Sequence, residues 1–129
     1  MTNGERKIKL YLSGGISDVP DYEKRFLEAH NYYKKLGFEV VNPILLSSIV
    51  ESSNRKPSWN DYMKLDISFL MTCDAIALLP EWEKSKGARL ERHIADELSM
   101  KIFYFERGEA WNTAFFSIHK KNFSNILLM

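Results

Sequence analysis

The sequence predicts an α/β fold: a doubly wound, Rossmann-like, mainly parallel sheet of four to five strands with helices on both faces. Two observations predict it. Short apolar runs and amphipathic stretches alternate in the order strand, helix, strand, once near the start of the chain and again towards its end. One of those runs, Ala75-Ile76-Ala77-Leu78-Leu79, is apolar with almost no alternation, which suits a central parallel strand covered on both faces. Crossovers in such a sheet are right-handed, and ligands bind outside the carboxyl ends of the strands.

The elements follow in order. Ile8, Leu10 and Leu12 alternate with Lys7, Lys9 and Tyr11, and the run stops at Ser13-Gly14-Gly15, a turn signal, so residues 7–12 read as the first strand. Over 21–36, Tyr22, Phe26, Ala29, Tyr33 and Leu36 recur at helical offsets, and Gly37 stands where a helix C-cap belongs. Residues 38–41 form a second strand, stopped at Asn42-Pro43 because proline cannot donate to a ladder. The polar, breaker-rich stretch 47–58 reads as a surface loop. Ser58 can cap a helix from Trp59, in which Tyr62, Leu65 and Phe69 on one side and Met63, Ile67 and Leu70 on the other give a wide apolar arc. Asp74 opens the central strand as a turn residue, and Pro80 closes it. After a polar loop over 81–87, Leu90, Ile94 and Leu98 recur every four residues, and 101–105 supplies a fourth strand.

A chain of 129 residues fits one domain, 1–129, with a core at 7–106 and a tail at 107–129. Trp111, Phe115, Phe116, Ile118, Phe123, Ile126, Leu127 and Leu128 make that tail too apolar for solvent, so it either packs on the domain or enters a subunit interface. At 45% hydrophobic and 27% charged, the composition is that of a folded chain rather than a disordered one. Eighteen basic against seventeen acidic side chains leave +1, which argues against a nucleic acid polymer as partner. The single cysteine, Cys73, and three scattered histidines exclude an internal disulfide and provide no metal-ligand spacing. The expectation is a cytoplasmic protein with no metal, no organic cofactor and no membrane segment or signal peptide.

Several residues carry potential chemistry. Gly14 and Gly15 let a ligand approach the backbone, but the pair serves equally as a plain turn and has neither dinucleotide-fingerprint nor P-loop spacing. Glu91 shares a stripe with Ala95 and Leu98 in what reads as the first turn of its helix, so it is either a carboxylate held at a buried face or a solvated residue paired with Arg92 or Lys86. Asp66 stands in the apolar company of Leu65, Ile67 and Phe69. Two carboxylates converging on one pocket, one nucleophilic and one handling a proton, suit glycosyl transfer through an oxocarbenium-like transition state. Tyr11, Trp59 and Trp82 either stack on a planar base or pack as ordinary aromatics. The basic group Lys84, Lys86, Arg89 and Arg92 reads as a solvated face, from which Lys86 or Arg89 can reach a phosphate. His30, His93 and His119 receive no catalytic role.

Taken together, these residues resemble the nucleoside 2-deoxyribosyltransferase superfamily, which includes nucleoside deoxyribosyltransferases and 2'-deoxynucleoside 5'-monophosphate N-glycosidases. The resemblance spans roughly residues 8–105. Leu10-Tyr11-Leu12-Ser13-Gly14-Gly15-Ile16 is similar to the family's first strand, Asp66 with Leu70 and Cys73-Asp74-Ala75-Ile76-Ala77 to its central part, and Ser85-Lys86-Gly87-Ala88-Arg89-Leu90-Glu91 to its S-x-G-x-x-x-E segment. By that resemblance Glu91 attacks C1' and forms a glycosyl ester, while Asp66 relays a proton to the departing base. Tyr11, Gly14, Gly15, Ile16, Ser17, Trp59, Ser85 and Gly87 become the substrate-binding set, with Ser85 and Ser17 near a 5'-phosphate. Gly15 stands where many members carry proline or serine, and Arg89 and Leu90 replace the usual small residues, so substrate choice stays open.

The resemblance implies hydrolysis or transfer at the N-glycosidic bond of a (deoxy)nucleoside 5'-monophosphate or nucleoside. It also implies a homodimer or higher homo-oligomer, in which Asn122 or Asn125 of the tail could complete a neighbour's site. A catalytically silent nucleotide-sensing or nucleotide-sequestering protein on the same fold, or an assembly module driven by the tail, are the alternatives.

Overall fold

The computed structural model describes residues 6–17, 19–52 and 56–106, so the apolar tail, with Asn122 and Asn125, lies outside the described residues. The element order is β1 (Lys9–Ser13), α1 (Tyr22–Lys35), β2 (Glu39–Val41), α2 (Pro43–Glu51), α3 (Trp59–Leu70), β3 (Ala75–Leu78), a single 3-10 turn (Trp82–Lys84), α4 (Lys86–Glu97) and β4 (Lys101–Tyr104). Four parallel strands pair in the order β2-β1-β3-β4. This is the doubly wound α/β arrangement, with the winding direction reversing between β1 and β3.

Both faces of the sheet are covered. On one, Leu10, Leu12, Ala75, Ala77 and Phe103 pack against Phe26, Ala29 and Tyr33 of α1. The other packs Tyr11, Ile76 and Leu78 against Leu70 of α3 and Ala95 of α4. The alternation in β1 therefore separates two interiors rather than core from solvent, and Tyr11 is as fully enclosed as Leu10 and Leu12. Burying a side chain such as Phe26 contributes about 1.5–3 kcal/mol, so this two-sided core dominates stability. The α1 stripe falls as its periodicity predicts, and Gly37 follows the helix at φ 99°, a left-handed conformation that glycine adopts without strain.

Two readings need correction. The stretch expected as loop from residue 47 instead belongs in part to α2, Pro43–Glu51. Asn42 accepts a hydrogen bond from the Ile44 amide, and Pro43 occupies the first turn, where its missing N–H costs nothing; the pair that ends β2 also starts a helix. The face of α4 also differs. Leu90 and Leu98 are exposed, and the buried residues are Ala88, Glu91 and Ala95, since small side chains allow the helix to approach the sheet closely. No helix among the described residues is long and apolar enough to cross a membrane.

Candidate active site

In an all-parallel sheet the strands end at one edge, which gathers the loop after β1, the segment after β3 and the start of α4. Ser85 caps α4, its hydroxyl accepting a hydrogen bond from the Ala88 amide at 3.1 Å. A helix starting at Lys86 places Glu91 in the second turn rather than the first, so the macrodipole acts on it only weakly. What holds Glu91 is the strand beneath.

Tyr11 and Ser13 are two residues apart on β1 and face the same way, towards α4. The Tyr11 hydroxyl donates to Oε2 of Glu91 at 2.6 Å, and the Ser13 hydroxyl donates to Oε1 at 2.6 Å. All three residues are buried, Glu91 with only 5% of its surface exposed. Burial pushes the Glu91 carboxyl up to about 7, against the pull of the Ser13 and Tyr11 hydroxyls, and the charge of Asp66 adds to the rise. Asp66 lies on α3 between the buried Met63 and Leu70, and its own partial burial raises it to about 6. The Tyr11 phenol is driven far above its ordinary value, first by burial and then by the charges of Glu91 and Asp66, so it stays a protonated donor. The two carboxyls thus share one electrostatic environment, and both are raised towards neutrality.

Glycine contacts locate the rest of the edge. A Cβ on Gly15 would lie 3.6 Å from the Ser85 Cβ, so the β1 loop abuts the start of α4. At Gly87 it would lie 3.1 Å from the Met63 sulfur and 3.9 Å from Nε1 of Trp59, which joins α4 to the first turn of α3. Gly14 is packed tighter, with Leu79 Cβ at 2.9 Å. The ammonium of Lys86 sits 4.1 Å from the Trp59 ring, whose indole is 40% exposed. Around Glu91 the structure therefore brings together Tyr11, Asp66 and Ser13; Gly15 meets Ser85, and Gly87 meets Trp59. Ile16 and Ser17 lie exposed on the β1 loop.

The ring of Tyr11 is fully enclosed and offers no face for stacking on a base; its contribution is the hydroxyl. Trp82 turns elsewhere, packing near Tyr104 with the Arg92 guanidinium 5.3 Å from its ring. It borders an open groove of about 380 Å³ beyond the ends of β3 and β4, which neither Glu91 nor Asp66 lines. The basic group is engaged locally: Lys84 pairs with Glu81, Arg89 donates to the Glu83 carbonyl and Arg92 to the Tyr104 hydroxyl. Asp74 is a structural residue at the opposite edge, gripped by Arg6 and the Lys9 amide, which hold its carboxyl below the usual range.

Ser13 is a site residue outside the binding set expected from the sequence. Its signal was available: it stands two positions after Tyr11, on the same strand face.

A family model described as a domain of unknown function, DUF4406, matches residues 8–104. The chain belongs to the DUF4406 family. No curated protein matches the sequence. The DUF4406 span runs from just before β1 to the end of β4, and every residue of the site described above falls within it.

Proposed function

We propose that this DUF4406 domain cleaves or exchanges the N-glycosidic bond of a (deoxy)nucleoside 5'-monophosphate or nucleoside, as its resemblance to the nucleoside 2-deoxyribosyltransferase superfamily implies. The observation that carries the reading is the buried Glu91 carboxylate, held by two hydroxyls beside a second carboxyl raised to about 6. In the first step an oxygen of ionised Glu91 bonds to C1' as the C1'–N bond breaks, and Asp66 gives its proton to the departing base. In the second, water or the nitrogen of another base attacks C1', Glu91 leaves as a carboxylate, and Asp66 recovers a proton. The exposed Trp59 indole provides an apolar surface near the α4 start, and Ser85, Lys86 and the amides of that helix start suit an anionic 5'-group. Near-zero net charge fits a small substrate rather than a polymer.

The test is incubation with a panel of deoxynucleotides and nucleosides, with free base measured by chromatography. Release should occur and should fall at least about a thousandfold in Glu91→Ala, as expected when a nucleophile is removed. Release that is unchanged in Glu91→Ala refutes the assignment. A second base added to the mixture separates transfer from hydrolysis, since only transfer yields a new nucleoside.

A second reading, a nucleotide-binding protein without turnover, is favoured by the elevation of Glu91 to about 7, which keeps roughly half of the molecules in the non-nucleophilic acid form at neutral pH. Tight binding of a nucleotide recovered intact after long incubation selects this reading.

A further inference from the structure

The two hydroxyls on Glu91 differ in kind. Tyr11 is fixed by its enclosed ring, and its phenol stays a donor throughout. Ser13 presents a short hydroxyl that rotates about one bond and can donate or accept. The pair also grips different oxygens, Tyr11 on Oε2 and Ser13 on Oε1, so together they fix both the tilt of the carboxylate plane and its rotation. With Tyr11 alone the carboxylate could pivot about a single hydrogen bond.

Ser13 is the last residue of β1, paired in register with Leu78, and it leads straight into Gly14 and Gly15 at the carboxyl edge. Ser13 is 1% exposed, and its hydroxyl donates to Glu91, a residue itself 5% exposed. A charge-assisted bond in such a place is about twice as strong as a neutral one. The other groups acting on Glu91 are Tyr11 from the same strand and Asp66 from α3, and Cys73 adds to the field at Tyr11. None of these takes up Oε1.

We propose that Ser13 is a positioning residue for Glu91, its hydroxyl holding Oε1 so that the carboxylate stays aimed at the carboxyl edge of the sheet as its charge is consumed and regenerated. This rests on the glycosidic reading above. When Oε1 or Oε2 becomes an ester oxygen, or when Glu91 takes up a proton, the carboxyl becomes a poorer acceptor. Ser13 can then swing its oxygen about its Cα–Cβ bond, whereas the enclosed ring of Tyr11 keeps its oxygen in place. Ser13 thus supports the charged form of Glu91 without opposing its conversion to the ester.

The experiment compares wild type with Ser13→Ala and Ser13→Thr, the second keeping the hydroxyl. One arm follows the Glu91 side-chain carboxyl by carbon NMR over a pH titration, assigned with Glu91→Gln. The other measures kcat and KM over the same range on whichever nucleotide the wild type cleaves. In Ser13→Ala the Glu91 titration should move up by about one to two pH units, since a hydrogen bond to a charged group is lost. The kcat at pH 7 should fall at least about tenfold with KM nearly unchanged, and Ser13→Thr should restore both. A folded Ser13→Ala whose titration stays at the wild-type value overturns the proposal, and so does a moved titration with kcat unchanged. If no substrate is turned over even by wild type, the glycosidic reading fails, while the NMR arm alone still confirms or overturns the hold of Ser13 on Glu91.

Discussion

At the residue scale, the site is defined by two carboxyls whose ordinary values are raised for the same reason, loss of water. Glu91 is displaced to about 7 and Asp66 to about 6, and the charge of Asp66 adds to the rise at Glu91. The proposed mechanism needs Glu91 ionised and Asp66 protonated, the minor of the two singly protonated forms because Glu91 keeps its proton to the higher pH, so the rate should follow a narrow, low bell with limbs near those two values. The two limbs belong to the pair rather than to one residue. In Asp66→Asn the alkaline limb should vanish, because nothing remains to lose a proton there. The one remaining limb, on the acid side, should report Glu91 alone and fall below about 7, because the neighbouring negative charge is gone. The rate on bases that leave poorly should drop about a hundredfold or more. A pH–rate profile of this variant checks all three, and a retained alkaline limb rules out Asp66 as the proton donor.

At the element scale, close approach of backbone to side chain is what assembles the edge, and the glycines there are not equivalent. A Cβ on Gly14 meets Leu79 Cβ at 2.9 Å, an atom fixed to its own backbone, so Gly14→Ala should destabilise by about 1–3 kcal/mol through overpacking. The Cβ of Gly87→Ala meets a methionine sulfur at 3.1 Å, and a flexible thioether can shift by a few tenths of an ångström. Alanine also favours the helix, so the net change should stay within about 1 kcal/mol of wild type. Denaturant unfolding of the two variants distinguishes them, and equal losses would refute the packing argument.

The same scale explains what was legible in the sequence. The α1 stripe and the continuous β3 run were readable because large apolar side chains at a fixed period leave little choice of face. In α4 the leucines mislead: Leu90 and Leu98 are exposed, and the buried face is made of alanines and a glutamate, which no hydrophobicity pattern marks. The start of α2 was hidden because Asn42-Pro43 ends a strand and opens a helix with equal propriety, and the serines that follow read as loop although Ser47 bonds back to the Ile44 carbonyl. Glu91 and Asp66 stood out by their residue types in apolar company. Ser13 did not, because a serine before two glycines has the look of a turn.

For the whole molecule, the raised carboxyls set the sign of the pH dependence of stability. A carboxyl whose folded value exceeds its unfolded value binds its proton more tightly in the folded state, so the fold gains on the acid side and loses as pH rises from the unfolded value through the folded one. For Glu91 the window runs from about 4.5 to about 7, and for Asp66 from about 3.8 to about 6. Unfolding free energy should therefore decline between about pH 4 and pH 7. Part of that decline should disappear in Glu91→Gln, by a few kcal/mol at most at about 1.4 kcal/mol per pH unit of displacement. Thermal melts of both proteins across that range provide the check, and a wild type that gains stability from about pH 4 to pH 7 in step with Glu91→Gln contradicts it.

The division of labour across the sheet has one more consequence. The Glu91 carboxyl is carried by α4, while the hydroxyls that hold it belong to β1, so the two 2.6 Å contacts span the interface between a helix and a sheet. Such contacts behave as a gauge of how closely those layers sit. Sliding α4 by half an ångström would slacken both together while leaving the hydrocarbon packing nearly intact. If the proposed glycosidic activity is present, it should fall under gentle heating or mild urea before the secondary structure melts, so that it reports on seating rather than on folding.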